Sequence, residues 1–163
     1  MKFNLSEVEL YRILIDAEQT LFSLPKIKFE RDIAWRKNYL IDSAGIYALF
    51  EKDDLIYIGE TGNLIKRMSD ITRTFNHTFR KQLGEKRFSG TILSGKFDDN
   101  VEALLDNYFD NDLYVSFMEV NFGRLEIEDY LVDKYKYQLL NSEKKRKFKY
   151  NYELIKELEN SYS

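Results

Sequence analysis

Two apolar runs, Gly45-Ile46-Tyr47-Ala48-Leu49-Phe50 and Leu55-Ile56-Tyr57-Ile58, face each other across the polar segment Lys52-Asp53-Asp54. Runs this short, rich in β-branched and aromatic residues and parted by a charged turn, make a β-hairpin and not a pair of helices. Glycine opens the first run and Gly59 closes the second. The rest of the chain has to pack around that hairpin.

Ahead of it, Leu5, Val8, Leu10, Tyr11, Leu14, Ile15, Leu21 and Phe22 recur at mostly helical spacing, with Ser6 suited to the N-cap, so a helix is expected over 5–22. Pro25, the only proline, ends it, and Lys26 to Phe29 suits an edge strand or an extended connection. Beyond the hairpin, Thr61 is the expected cap of a helix whose apolar side is Leu64, Met68 and Ile71. A second helix is expected from near Thr78 to Gly84, a strand over Phe88 to Leu93, and an acidic helix over Val101 to Phe109. Leu113 to Val120 alternates as a strand, with Val115, Phe117 and Glu119 set against Tyr114, Ser116, Met118 and Val120. Gly123 leads into a helix reaching about Leu140, and Tyr152 to Leu158 forms the last.

The expected fold is α+β: a small, mostly antiparallel sheet flanked by helices, with an N-terminal helical extension. Residues 1–40 make the extension, 41–142 the central domain, and 143–163 a basic stretch and C-terminal helix. A chain of 163 residues is long enough for one substantial core, and its 12 Tyr and 12 Phe supply large side chains to fill it.

No stretch approaches membrane-spanning length, and Glu7 and Glu9 in the first apolar segment do not suit a secretory signal, so a cytoplasmic location is expected. With no cysteine and the single His77, thiolate sites, disulfides and multi-histidine cages are excluded; a metal would rely on carboxylates and water. The net charge of -3 opposes non-specific affinity for nucleic acid. Its distribution is uneven. Lys66, Arg67, Arg73, Arg80, Lys81, Lys86 and Arg87 gather in one stretch and Lys144 to Lys147 in another, with Asp98, Asp99, Glu102, Asp106, Asp110 and Asp112 between them. A polarised surface follows.

The triplets Gly45-Ile46-Tyr47 and Tyr57-Ile58-Gly59, followed by a helix carrying Arg67, resemble the signature of the GIY-YIG nucleases, and the resemblance extends over residues 42 to 141. It implies a metal-dependent endonuclease acting on DNA. In that reading Tyr47 takes the proton of the attacking water, Tyr57 orders water and phosphate, and Arg67 stabilises the pentacovalent phosphate. The segment Leu125 to Val132 resembles the family's metal-binding helix, which makes Glu128 the ligand of one Mg2+ or Mn2+ ion assisting the leaving oxygen; Glu126 is the register alternative. On the residues alone, Glu128 interrupts an apolar face made of Leu125, Leu131, Val132 and Tyr135, where a carboxylate needs a partner.

Four residues after the arginine, where relatives often carry histidine or tyrosine, this chain has Ile71, and His77 is the available substitute. Lys66, Arg73, Arg80 and Lys81 are candidates for contacting the nucleic-acid backbone. Asn141 resembles the family's terminal asparagine. One active site per chain means that cutting a duplex takes a homodimer or successive nicks. The alternative is a module of the same fold that binds nucleic acid or protein without turnover.

Overall fold

The computed structural model describes residues 5–142 and 148–161, and the basic run Lys144 to Lys147 lies outside the described residues. The first helix, α1 (Glu7–Ser23), begins in a capping box: Ser6 Oγ accepts from the Glu9 amide at 3.2 Å and the Glu9 carboxylate accepts from the Ser6 amide at 3.0 Å. There follow β1 (Ile27–Lys28), α2 (Ile33–Tyr39), β2 (Gly45–Glu51), β3 (Asp54–Thr61), α3 (Leu64–Asp70), α4 (Thr78–Phe88), α5 (Asp99–Asn111), β4 (Leu113–Glu119), α6 (Arg124–Lys134) and α7 (Tyr152–Ser161). The strands form one sheet in the order β1-β4-β2-β3 with every described pairing antiparallel. The α+β architecture thus matches the expectation, and β1 lies at an edge.

Strand alternation splits the core in two. Ile46, Ala48 and Phe50 of β2 with Met118 of β4 point to one face, where Tyr11, Leu14 and Ile15 of α1, Tyr130 and Leu131 of α6, and Ile155 and Leu158 of α7 cover them. Tyr47, Leu49 and Val115 point to the other, under Leu64 and Met68 of α3, Phe79 and Leu83 of α4, and Leu105 and Phe109 of α5. A fully buried side chain of this size contributes about 1.5–3 kcal/mol. The N-terminal helix therefore completes one of two apolar layers. No helix among the described residues is long and apolar enough to cross a membrane.

A bulge decides which face Tyr57 occupies. Next to the turn, Glu51 pairs with Asp54 and Phe50 with Leu55, but the next pair is Leu49 with Tyr57, which leaves Ile56 unopposed. Continued without the bulge, that register would set Tyr57 opposite Ala48 and hence on the α1 face. The extra residue shifts the pairing by one and brings Tyr57 to the face of Tyr47.

Several expected boundaries move for local reasons. Thr61 is the last residue of β3, and Asn63 caps α3 by accepting from the Lys66 amide at 2.8 Å. Gly84 does not end α4; it sits inside the helix because a Cβ there would lie 2.3 Å from the Phe97 ring. Phe88 to Leu93 is no strand: Phe88 closes α4, Ser89 takes the left-handed conformation at its C-cap, and Leu93 makes only an isolated bridge to Lys96. The seven-residue α2, capped by Asp32, lies where no helix was expected.

α6 stops at Lys134 and leaves the chain to run back along β3. There the Leu140 amide donates to Ile56 O at 2.8 Å, while the Asn141 side chain accepts from the Ile58 amide at 3.1 Å and donates to Ile58 O at 2.7 Å.

Candidate active site

Tyr47 lies opposite Gly59 on the neighbouring strand and Tyr57 opposite Leu49, so the tyrosines are diagonal neighbours on one face. Their rings are stacked with centroids 6.3 Å apart and planes 23° apart. Gly59 is needed for this arrangement, because a Cβ there would lie 2.4 Å from both Cζ and the hydroxyl of Tyr47. Gly45 serves the other flank: a Cβ there would lie 2.3 Å from Met118 O of β4. Both framing glycines thus have a steric reason, one to bed the Tyr47 ring and one to admit a strand.

His77 enters from the N-terminus of α4. Its Nδ1 accepts from the Phe79 amide at 3.0 Å, and its Nε2 stands 2.9 Å from the Tyr47 hydroxyl. An amide can only donate, so in the neutral ring Nδ1 is bare and Nε2 carries the hydrogen, which it donates to Tyr47 Oη. The ring is only 4% exposed. Burial, reinforced by the Arg67 and Lys81 charges, holds its pKa down to about 3, so the neutral form prevails at physiological pH. Ile71 is fully buried at the end of α3, so the position four residues after Arg67 belongs to the core.

Tyr47 is 1% exposed, and burial drives its phenol well above 10. Tyr57, Glu128 and Glu60 push the same way, and only Arg67 opposes them. Tyr57 is likewise raised by burial, then by Glu128, again with Arg67 opposing. Those couplings put the Arg67 guanidinium and the Glu128 carboxylate in the same field as both phenols.

Arg67 is half-buried on α3, and its Nε is buried with no hydrogen-bond partner among the described residues. Arg31, Arg80, Arg87 and Arg124 all pair with carboxylates; among the described residues Arg67 has no such pair. A buried donor left unsatisfied costs about 1–3 kcal/mol, more when charged.

Glu128 is half-buried on α6, and its Oε1 accepts from the Glu60 amide at 3.3 Å. Its expected setting holds in part: the buried residues of α6 are Ile127, Tyr130, Leu131 and Val132, so Glu128 stands between Leu131 and Val132 on the helix, whereas Leu125, expected on the same face, is exposed. Glu126 is exposed. Glu60, which the sequence reading passed over, joins the site through its amide, and its carboxylate pairs with Arg124 at 3.2 Å. The available signal was its place directly after Gly59.

The basic candidates separate. Lys66 and Arg73 are exposed and Lys81 is half-buried beside His77. Arg80 is withdrawn from the surface: 2% exposed, it binds Glu102 at 2.7 Å, Asp106 at 2.8 Å and Thr74 at 3.1 Å. It ties α4 to α5; its Nη1 has no partner among the described residues but is itself buried, and two carboxylates already balance the charge. The group is not presented to a phosphate at the surface, which corrects its expected role.

No group of three or more histidine, cysteine or acidic side chains placed to hold a metal occurs among the described residues. The Glu128 carboxylate, whose charge acts on both phenols, still fits a hydrated Mg2+ or Mn2+, because magnesium commonly takes one or two carboxylates and completes its shell with water and substrate phosphate.

No family model, curated protein or solved structure matches this chain. The resemblance to GIY-YIG nucleases therefore rests on the motif residues alone.

Proposed function

We propose that the chain is a metal-dependent endonuclease of the GIY-YIG type that hydrolyses phosphodiester bonds in DNA. The observation that carries this is Arg67: a half-buried cation beside two phenols, with its Nε unpartnered among the described residues. A phosphate oxygen supplies both the charge and the acceptor that this group lacks.

The chain's own residues divide the work. Tyr47 reacts as its minor phenolate form, favoured by the Arg67 charge and by the His77 Nε2–H donated to its oxygen. As the water oxygen bonds to phosphorus, one water proton passes to Tyr47 Oη. The resting phenol is restored, and the balancing proton reaches the leaving oxygen through solvent. Tyr57, stacked beside Tyr47, orients water and phosphate, and Arg67 holds the non-bridging oxygens as charge builds on them. His77 is a fixed donor in this scheme; its second nitrogen is committed to the Phe79 amide. Glu128 would hold the Mg2+ or Mn2+ ion, whose chemistry is to neutralise charge on the phosphate and the leaving oxygen.

Nicking of supercoiled plasmid and of branched DNA with Mg2+, Mn2+ or chelator tests the reading, using the parent chain, Glu128→Ala, Tyr47→Phe and Arg67→Ala. Metal-dependent nicking lost in all three variants is the expected result. Burial of both phenols favours a second reading, a module that binds without turnover. DNA binding unaffected by these substitutions, with no product from any substrate, would establish that reading in place of the first.

A further inference from the structure

We infer that the exposed ring of Phe75 is a stacking platform for an unpaired nucleobase next to the phosphate being cut. The inference rests on the nuclease reading and names the substrate it favours: a nucleic acid with unpaired nucleotides at the cleavage position.

Phe75 is 74% exposed in the turn between α3 and α4. It is nevertheless held in place. A Cβ on Gly95 would lie 2.7 Å from Phe75 Cδ2, so the bare backbone of Gly95, at φ +84°, backs the ring from one side. The Lys81 ammonium lies 6.0 Å from the ring centroid, and the same charge acts on His77. Arg73 is exposed two residues away. An apolar ring braced by backbone, with one ammonium over it and an exposed arginine two residues away in the chain, matches a base with its backbone phosphate better than it matches an apolar peptide.

Its location ties it to the chemistry. Phe75 precedes His77 by two residues, so their Cα atoms are at most about 7 Å apart, on the order of two stacked nucleotide steps. His77 in turn touches the Tyr47 hydroxyl at 2.9 Å. In a continuous duplex each base face is covered by its neighbours, so the Phe75 ring has nothing to stack on. A gap, flap or junction supplies a free face.

The test is binding in chelator, which stops turnover, to two DNAs: a continuous duplex and a gapped duplex with 2-aminopurine at the unpaired position. The parent is expected to prefer the gapped DNA and to quench the fluorophore. Phe75→Ala, at an exposed site that circular dichroism will show to be folded, is expected to lower that preference by about five- to tenfold or more and to lose the quenching. Phe75→Tyr is expected to keep both. An alanine variant with unchanged preference and quenching, or a parent with no preference, overturns the inference. Cleavage with Mg2+ separates the two claims. Parent cleavage whose substrate preference ignores Phe75 removes the platform and leaves the nuclease. Quenching that depends on Phe75, with no cleavage in Mg2+ or Mn2+, supports the platform and removes the nuclease. A parent that binds neither DNA overturns both.

Discussion

The Tyr47 hydroxyl receives its hydrogen bond from His77 Nε2, 2.9 Å away, because the other nitrogen of that imidazole is occupied by the Phe79 amide. Neutral His77 is therefore a donor to the phenol and not a base acting on it. With Tyr47 driven well above 10, its phenolate is a minor species over the whole physiological range. The logarithm of kcat/KM should then climb with a slope of about one between pH 7 and 10, with no inflection near 6.5. A nicking profile checks this. A plateau by pH 8 would exclude Tyr47 as the base.

His77 also links folding to acid. Its folded pKa of about 3 lies below the free value of 6.5, so in that window the unfolded chain binds more protons and stability rises with pH. Acidification from pH 6.5 to 4.5 should remove about 2–3 kcal/mol on this account. Urea unfolding at the two pH values measures it. His77→Asn, which keeps a capping oxygen for α4, should lack this part of the pH dependence.

Gly59→Ala should destabilise the fold by about 1–3 kcal/mol and displace the Tyr47 ring, since the added methyl falls 2.4 Å from its hydroxyl. Nicking should drop by about 100-fold, the scale expected when proton transfer is misplaced. An alanine variant with parental activity would show that the ring's seat does not matter to the reaction.

On the opposite face, buried Glu18 accepts from Tyr130 at 2.9 Å and Lys134 at 2.7 Å, and from the Tyr135 hydroxyl. Glu18→Ala leaves the Tyr130 and Tyr135 hydroxyls without this acceptor, while Lys134 keeps Glu159 at 2.6 Å, and should cost about 1–3 kcal/mol, seen as a lower Tm. Because that network lies across the sheet from Tyr47, nicking below the melting range should persist. Loss of activity without loss of stability would contradict the two-layer description.

The hairpin, α1 with its Ser6 cap, β4 and the start of α7 were legible because each is written in local periodicity and capping. Residues whose role depends on distant neighbours were not. Gly84 reads as a helix end until the Phe97 ring is seen against it, and Arg80 reads as a surface cation until α5 brings Glu102 and Asp106 to it. Tyr47 and Tyr57 could be chosen from the sequence, yet a two-residue turn alone would send them to opposite faces. An odd-even count across Lys52 and Asp53 exposes the need for the bulge at Ile56.

The amide of Asn141 occupies both backbone groups of Ile58, and Leu140 occupies the carbonyl of Ile56, so the outer margin of β3 is already dressed by the chain's own return. At the other margin β1 offers only two residues. Those two cover β4 only at Tyr114 and Val115, so residues 116–119 of β4 have no strand partner on that side among the described residues. If two copies cooperate to cut both strands of a duplex, the β3 margin is closed to a partner strand, and a sheet continued from one copy to the next would have to start from β4.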